Sequence, residues 1–140
     1  MKREDPTKST LFLLDTNVLS AAIRDPNGKI ARRLRHTPKA QLATSIIVSC
    51  EMKFGALKRG ATVLQERVDA ILETLPVHPI DQGIEDTYAR TRTEMEKHGH
   101  GISAHDLLIA CQALLLNATL VTENVRELAR VPGLSVESWS

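Results

Sequence analysis

Three acidic residues, far apart in the chain, stand where an apolar run ends or on an apolar helix: Asp15 after Leu11-Phe12-Leu13-Leu14, Glu51 within residues 45–56, and Asp106 after Ile102-Ser103-Ala104-His105. Thr122-Glu123-Asn124 follows the apolar run Thr119-Leu120-Val121 in the same way. In an open α/β sheet, residues at strand ends meet in the crevice at the carboxyl edge, where ligands bind. Carboxylates gathered there repel one another and raise one another's pKa, and a divalent cation removes both penalties. Mg²⁺ suits such a pocket, because it is held by one or two carboxylates together with waters and substrate phosphates. Metal-assisted attack of water on a phosphodiester is the chemistry this set can perform, with Mn²⁺ able to substitute. Asp15 and Asp106 are the expected direct ligands. Glu51 is expected to bind directly or through a water and to assist deprotonation of the nucleophile. Glu123 ranks ahead of Asn124 as fourth member, with Glu127 one helical turn further on. Thr16, Asn17 and Thr122 can hydrogen-bond the acids and hold their rotamers.

Each acid also has a simpler reading. Asp106 sits in the first turn of a helix that Ser103 can cap, where a negative charge is favourable whether or not it binds anything. Asp15 can be a plain helix cap. Glu51 shares a stripe with Ile47 and Phe54 at i, i+4 and i+7, so it is expected among core residues, where an acid is costly unless bound; its stem can also snorkel to solvent. The histidines offer less. His98 and His100 lie in a Gly-flanked loop with no thiolate nearby, so a zinc site with His105 is a weak alternative. The five histidines show no paired acid and base for a metal-free ribonuclease. Aspartyl-phosphate chemistry would need a second acid where Asn17 stands.

The elements that must position these groups alternate. Residues 11–14 read as a strand covered on both faces, followed by a helix over 16 to about 23, a turn at Asp25-Pro26-Asn27-Gly28 and a basic helix over 29 to about 36. A weak strand at 42–44 leads to Ser45 as cap of a helix reaching about Lys58, with Gly60 as its stop. A helix over 62–73 carries Val63, Leu64, Val68, Ile71 and Leu72; residues 77–80 form a short or edge strand because of Pro79. Asp81 is expected to cap the next helix, with Ile84, Tyr88 and Met95 as its apolar stripe. The helix begun at Ser103 runs to Leu116, Asn117 supplies a left-handed stop, and strands at 118–122 and 134–136 flank a helical turn at 125–129. This order predicts an α/β fold with a central, mostly parallel sheet of four to five strands flanked by helices on both faces.

With 140 residues the chain fits one domain over 11–139, preceded by a loose extension at 1–10. Its 18 Lys and Arg against 17 Asp and Glu exclude a strongly basic surface, so any cationic face is local. The candidates are Lys29, Arg32, Arg33, Arg35 and Lys39; Lys53, Lys58 and Arg59; and Arg90, Arg92 and Lys97, for each of which a plain solvated face is the favoured reading. Cys50 and Cys111 are expected to be buried free thiols, which suits a reducing compartment. No run approaches the roughly 18 apolar residues of a membrane span, and the start has no apolar leader core; a cytoplasmic protein is expected.

The segments Leu14-Asp15-Thr16-Asn17-Val18-Leu19-Ser20, Glu51-Met52-Lys53-Phe54-Gly55-Ala56 and Ile102 through Ala110 occur in the order found in one known family. With Ala118 through Leu128, Val131-Pro132-Gly133-Leu134 and Glu137-Ser138-Trp139, the chain resembles the PIN-domain ribonucleases of the VapC toxin family. That resemblance implies an Mg²⁺- or Mn²⁺-dependent endoribonuclease that cuts tRNA or ribosomal RNA to stop translation. It also implies a homodimer, neutralised by a VapB-type antitoxin through which the complex reaches DNA. The family's acids fall on Asp15, Glu51 and Asp106, with the fourth in Glu123-Asn124. His105 stands where Asn is common, Cys111-Gln112 replaces a small residue and His, and Leu128 replaces a frequent Phe. A catalytically silent PIN-fold module, acting only through its antitoxin complex, is the alternative. Apolar grooves for partners are expected near the helices over 45–59 and 62–73, where the same amphipathicity equally serves core packing.

Overall fold

The computed structural model describes residues 10–140, so all of the expected N-terminal extension except Thr10 lies outside the described residues. Strand β1 (Phe12–Leu14) buries Leu13 and Leu14 completely, as a parallel strand covered on both faces must. Asp15 ends it and starts helix α1 (Thr16–Arg24), its carboxylate accepting the Val18 N–H at 3.0 Å. A turn through Asp25 leads to α2 (Lys29–His36), and a 3₁₀ turn at Lys39–Gln41 leads to β2 (Leu42–Ser45). Ser45 caps α3 (Ile46–Arg59), which Gly60 closes in the left-handed region at φ 64°. Then come α4 (Thr62–Glu73), β3 (Val77–His78), α5 (Ile84–Lys97), α6 (Ala104–Leu116), β4 (Thr119–Val121), α7 (Val125–Leu128) and β5 (Ser135–Glu137).

The strands form one sheet in the order β3-β2-β1-β4-β5, and every pairing among the described residues is parallel. The chain builds outward from β1 through β2 to β3, then returns past β1 to lay down β4 and β5 on the other side. That reversal puts the topological switch point between β1 and β4, where Leu14 is in register with Val121. Thr44, fully buried, donates its hydroxyl to the Leu14 carbonyl at 2.6 Å and ties the end of β2 to the end of β1. Beside it β3 is a two-residue edge strand, as Pro79 requires. Gln112 of α6 donates to the His78 and Pro79 carbonyls at 3.0 and 3.1 Å, anchoring that edge.

At the C-terminus Trp139 is 4% accessible, meets Phe12 edge-to-face at 5.3 Å and lies under the Arg33 guanidinium at 4.8 Å. Arg33 also pairs with Glu137 at 3.0 Å, so this member of the first basic stretch fastens α2 to β5.

Three local expectations are corrected. Helix α5 is not capped by Asp81: Gly83 takes the cap position at φ 100°, and the Glu85 carboxylate accepts its N–H at 3.1 Å. Helix α3 does not bury the stripe of Ile47, Glu51 and Phe54. Its core face is Val48, Met52 and Ala56, at i, i+4 and i+8, and Phe54 is 64% exposed. Cys111 is buried but Cys50, on the outer side of α3, is exposed.

Candidate active site

Because β1 and β4 run side by side, the residues that leave them emerge together at the carboxyl edge of the sheet. Asp15 N–H donates to the Val121 carbonyl at 3.1 Å, which sets Asp15 against Thr122. The Thr122 side chain is fully buried, and its hydroxyl also accepts the Asn124 N–H at 3.0 Å, shaping the turn after β4. Asp106 reaches the same place from α6, in a first turn fixed by Ser103 Oγ accepting the Asp106 N–H at 3.1 Å.

The Asp15 carboxyl reports this crowding. Burial, the largest influence, pushes its pKa above the ordinary value; the negative charges of Asp106 and Glu123 push it further the same way. Hydrogen bonds from Thr122 and from the Val18 amide pull it partly back. Among the described residues no lysine or arginine pairs with Asp15, Asp106 or Glu123. Negative charge thus gathers at the switch point, and among the described residues no lysine or arginine neutralises it.

Glu51 is held differently. Thr16, the first residue of α1, donates its hydroxyl to Glu51 Oε2 at 3.1 Å, and His105 Nδ1 lies 2.7 Å from Glu51 Oε1. Both oxygens are therefore occupied, by the residues that follow Asp15 and precede Asp106, and Glu51 is not among the charges that act on Asp15. Asn17 is exposed and makes no hydrogen bond to an acid among the described residues. Glu123 is exposed and accepts from Ser138 Oγ at 3.2 Å, while the Asn124 side-chain amide donates to Glu127 at 3.2 Å. Glu123 is the one of that pair whose charge bears on Asp15.

Among the described residues no three His, Cys, Asp or Glu side chains close into a finished ligand set. The donor chemistry nevertheless suits a hard divalent cation: oxygen donors, excess negative charge and a half-buried carboxyl whose ionised form is disfavoured first by burial and then by its acidic neighbours. Two contacts escaped sequence reasoning, His105 with Glu51 and Ser138 with Glu123. His105 carried a signal, its place beside Asp106 in the first turn of α6. Ser138 carried none, since only the β4–β5 pairing brings it near Glu123.

The PIN-domain family model matches residues 12–134. A Rickettsia felis protein named ribonuclease VapC2 is 34% identical over 131 residues, covering 92% of this chain and 98% of that one. The chain belongs to the VapC family of PIN domains. A tRNA(fMet)-specific endonuclease VapC of Shigella flexneri is 31% identical over 134 residues, covering 92% of this chain and 98% of its own. Among solved structures, VapBC2 from Rickettsia felis bound to a DNA fragment from their promoter superposes with a TM-score of 0.82. It shares 31% identity and covers 94% of this chain and 100% of that one.

In this PIN domain a groove of about 220 Å³ between α1, α3 and α4 opens beside Glu51, with Thr16, Arg24, Gly55, Arg59 and Leu64 in its walls. Phe54 and Leu57 of α3 and Val63 of α4 expose 64%, 69% and 59% of their surface. No helix of the PIN domain is long and apolar enough to cross a membrane, among the described residues.

Proposed function

We propose that the chain is the toxin of a VapBC-type pair: an Mg²⁺- or Mn²⁺-dependent endoribonuclease that inhibits translation by cutting RNA of the tRNA or ribosomal class. The observation that carries this reading is the convergence of Asp15, Asp106 and Glu123 at the β1–β4 switch point with no lysine or arginine paired to them among the described residues. Asp15 and Asp106 would hold the ion directly, Glu51 directly or through water, and Glu123, or else Asn124, as fourth member. A divalent ion there supplies charge stabilisation to the phosphodiester under attack and makes a water nucleophilic at neutral pH. Hydrogen bonds from Thr122 and the Val18 amide favour the ionised form of Asp15 and aim it, and Glu51 accepts the proton of the attacking water. Residues 11–139 act as one unit, working in the cytoplasm as a homodimer.

A VapB-type antitoxin neutralises the enzyme, and DNA is reached only through it. The outer face of α3, with exposed Phe54 and Leu57 as apolar anchors, is the surface assigned to the antitoxin, because the groove between α1, α3 and α4 on the same helix opens onto Glu51. An antitoxin arginine reaching the acids would pair with them in place of metal.

The second reading, a silent binding module, is favoured by one feature: both Glu51 oxygens are occupied by Thr16 and His105. Sequencing RNA ends after brief expression separates the two. New ends at defined sites with the native chain and none with Asp15→Asn support the nuclease; no new ends with either chain leave only the module.

A further inference from the structure

We infer that His105 is a positioning residue for Glu51, holding that carboxylate between the helix starts that carry Asp15-Thr16 and His105-Asp106 so that it can serve the divalent ion; this rests on the nuclease reading. The carboxylate of Glu51 is fixed at both oxygens by two other helices, with His105 Nδ1 at 2.7 Å from Oε1 and Thr16 Oγ1 at 3.1 Å from Oε2. A carboxylate only accepts, so Nδ1 carries the proton and donates. Packing alone does not fix Glu51, whose side chain is 36% exposed, and it comes from the partly open side of α3. A glutamate left with three free torsions loses considerable entropy when it is ordered around an ion. The two hydrogen bonds impose that order beforehand.

The contact is not a stability device. His105 is 66% exposed, and pairs this exposed contribute little to folding. Its consequence falls on where Glu51 stands. The geometry of the imidazole adds a chemical criterion. The δ-amide of asparagine places a donor nearly where Nδ1 stands, whereas the longer glutamine carries its donor past it.

Calorimetric titration of Mn²⁺ alone into the full chain, without RNA, reads the effect directly. His105→Ala should weaken Mn²⁺ binding about tenfold, within the range for loss of a group that orients a ligand, and leave the urea midpoint of the metal-free protein unchanged. His105→Asn should restore binding to within about threefold of the native chain, and His105→Gln should not. In a Glu51→Gln background, His105→Ala should have no further effect, because the residue acts through Glu51. Native binding of Mn²⁺ with equal affinity in His105→Ala would overturn the positioning role and leave the nuclease reading standing. An equal loss in both backgrounds would overturn it too, by showing that His105 acts on the ion without Glu51. A native chain that binds no Mn²⁺ would remove both the positioning role and the reading it rests on.

Discussion

Asp15 continues the β1–β4 ladder one step past the last paired residues: its N–H donates to the Val121 carbonyl at 3.1 Å. The same residue uses its carboxylate to cap α1 through Val18. One backbone position thus ends the central strand, starts a helix and directs an acid into the crevice. The charge there is costly to the metal-free protein, and that cost is measurable.

Asp15 has a folded-state pKa above its ordinary value of 3.8, so between 3.8 and the folded value the native state binds more protons than the unfolded chain. Stability from this group therefore falls as pH rises through that window and stays low above it. Asn keeps the cap to Val18 but carries no charge. Metal-free Asp15→Asn should be more stable than the native chain by on the order of 1 kcal/mol at about pH 7, while abolishing cleavage. The difference should shrink towards about pH 4. Urea unfolding of both proteins at the two pH values checks it; a native chain more stable than Asp15→Asn at neutral pH contradicts it.

Mn²⁺ should reverse that penalty. At about 100 times its dissociation constant the ion should stabilise the native chain by about 2.7 kcal/mol, seen as a higher melting temperature. Asp15→Asn and Asp106→Asn should show little or none of this rise. A similar rise in all three proteins would place the ion elsewhere.

Ser103→Ala removes the cap that accepts the Asp106 N–H at 3.1 Å. The loss should cost about 1 kcal/mol of stability and loosen the first turn of α6. Cleavage should fall further than stability alone explains, because Asp106 and His105 both stand in that turn. Activity measured well below the melting temperature distinguishes the two effects.

Much of this arrangement was legible in the residues alone, and the exceptions have physical causes. Caps are local: Ser45, Ser103, Gly60 and Asn117 all do what their chemistry and position predict. The alternation of apolar runs and helical patterns predicted a parallel sheet with helices, and the short edge strand followed from Pro79. Which face of α3 turns inward was not legible. The stripe of Ile47, Glu51 and Phe54 and that of Val48, Met52 and Ala56 are both helical, and only packing against neighbouring elements selects the second. Asp81 lost the cap position to Gly83 because a positive φ two residues later starts α5 there. The contact between His105 and Glu51, 54 residues apart, comes from tertiary geometry that no local pattern encodes.

Phe54 and Leu57 are largely exposed, so Phe54→Asp and Leu57→Asp should leave folding and cleavage intact. Antitoxin affinity should drop by at least about 30-fold for one of them, as for truncation of an apolar anchor. Growth on co-expression with the cognate antitoxin checks this: the variants should escape neutralisation, and full neutralisation of both would move the docking surface elsewhere.

Cleavage of RNA by the purified chain, with Mn²⁺ or with a chelator, tests the shared acidic pocket most directly. The native protein should cut only with the ion, and Asp106→Asn should lose at least about 100-fold in rate under the same conditions. Cutting that persists in chelator, or that survives Asp106→Asn undiminished, would contradict a metal-dependent nuclease centred on these acids.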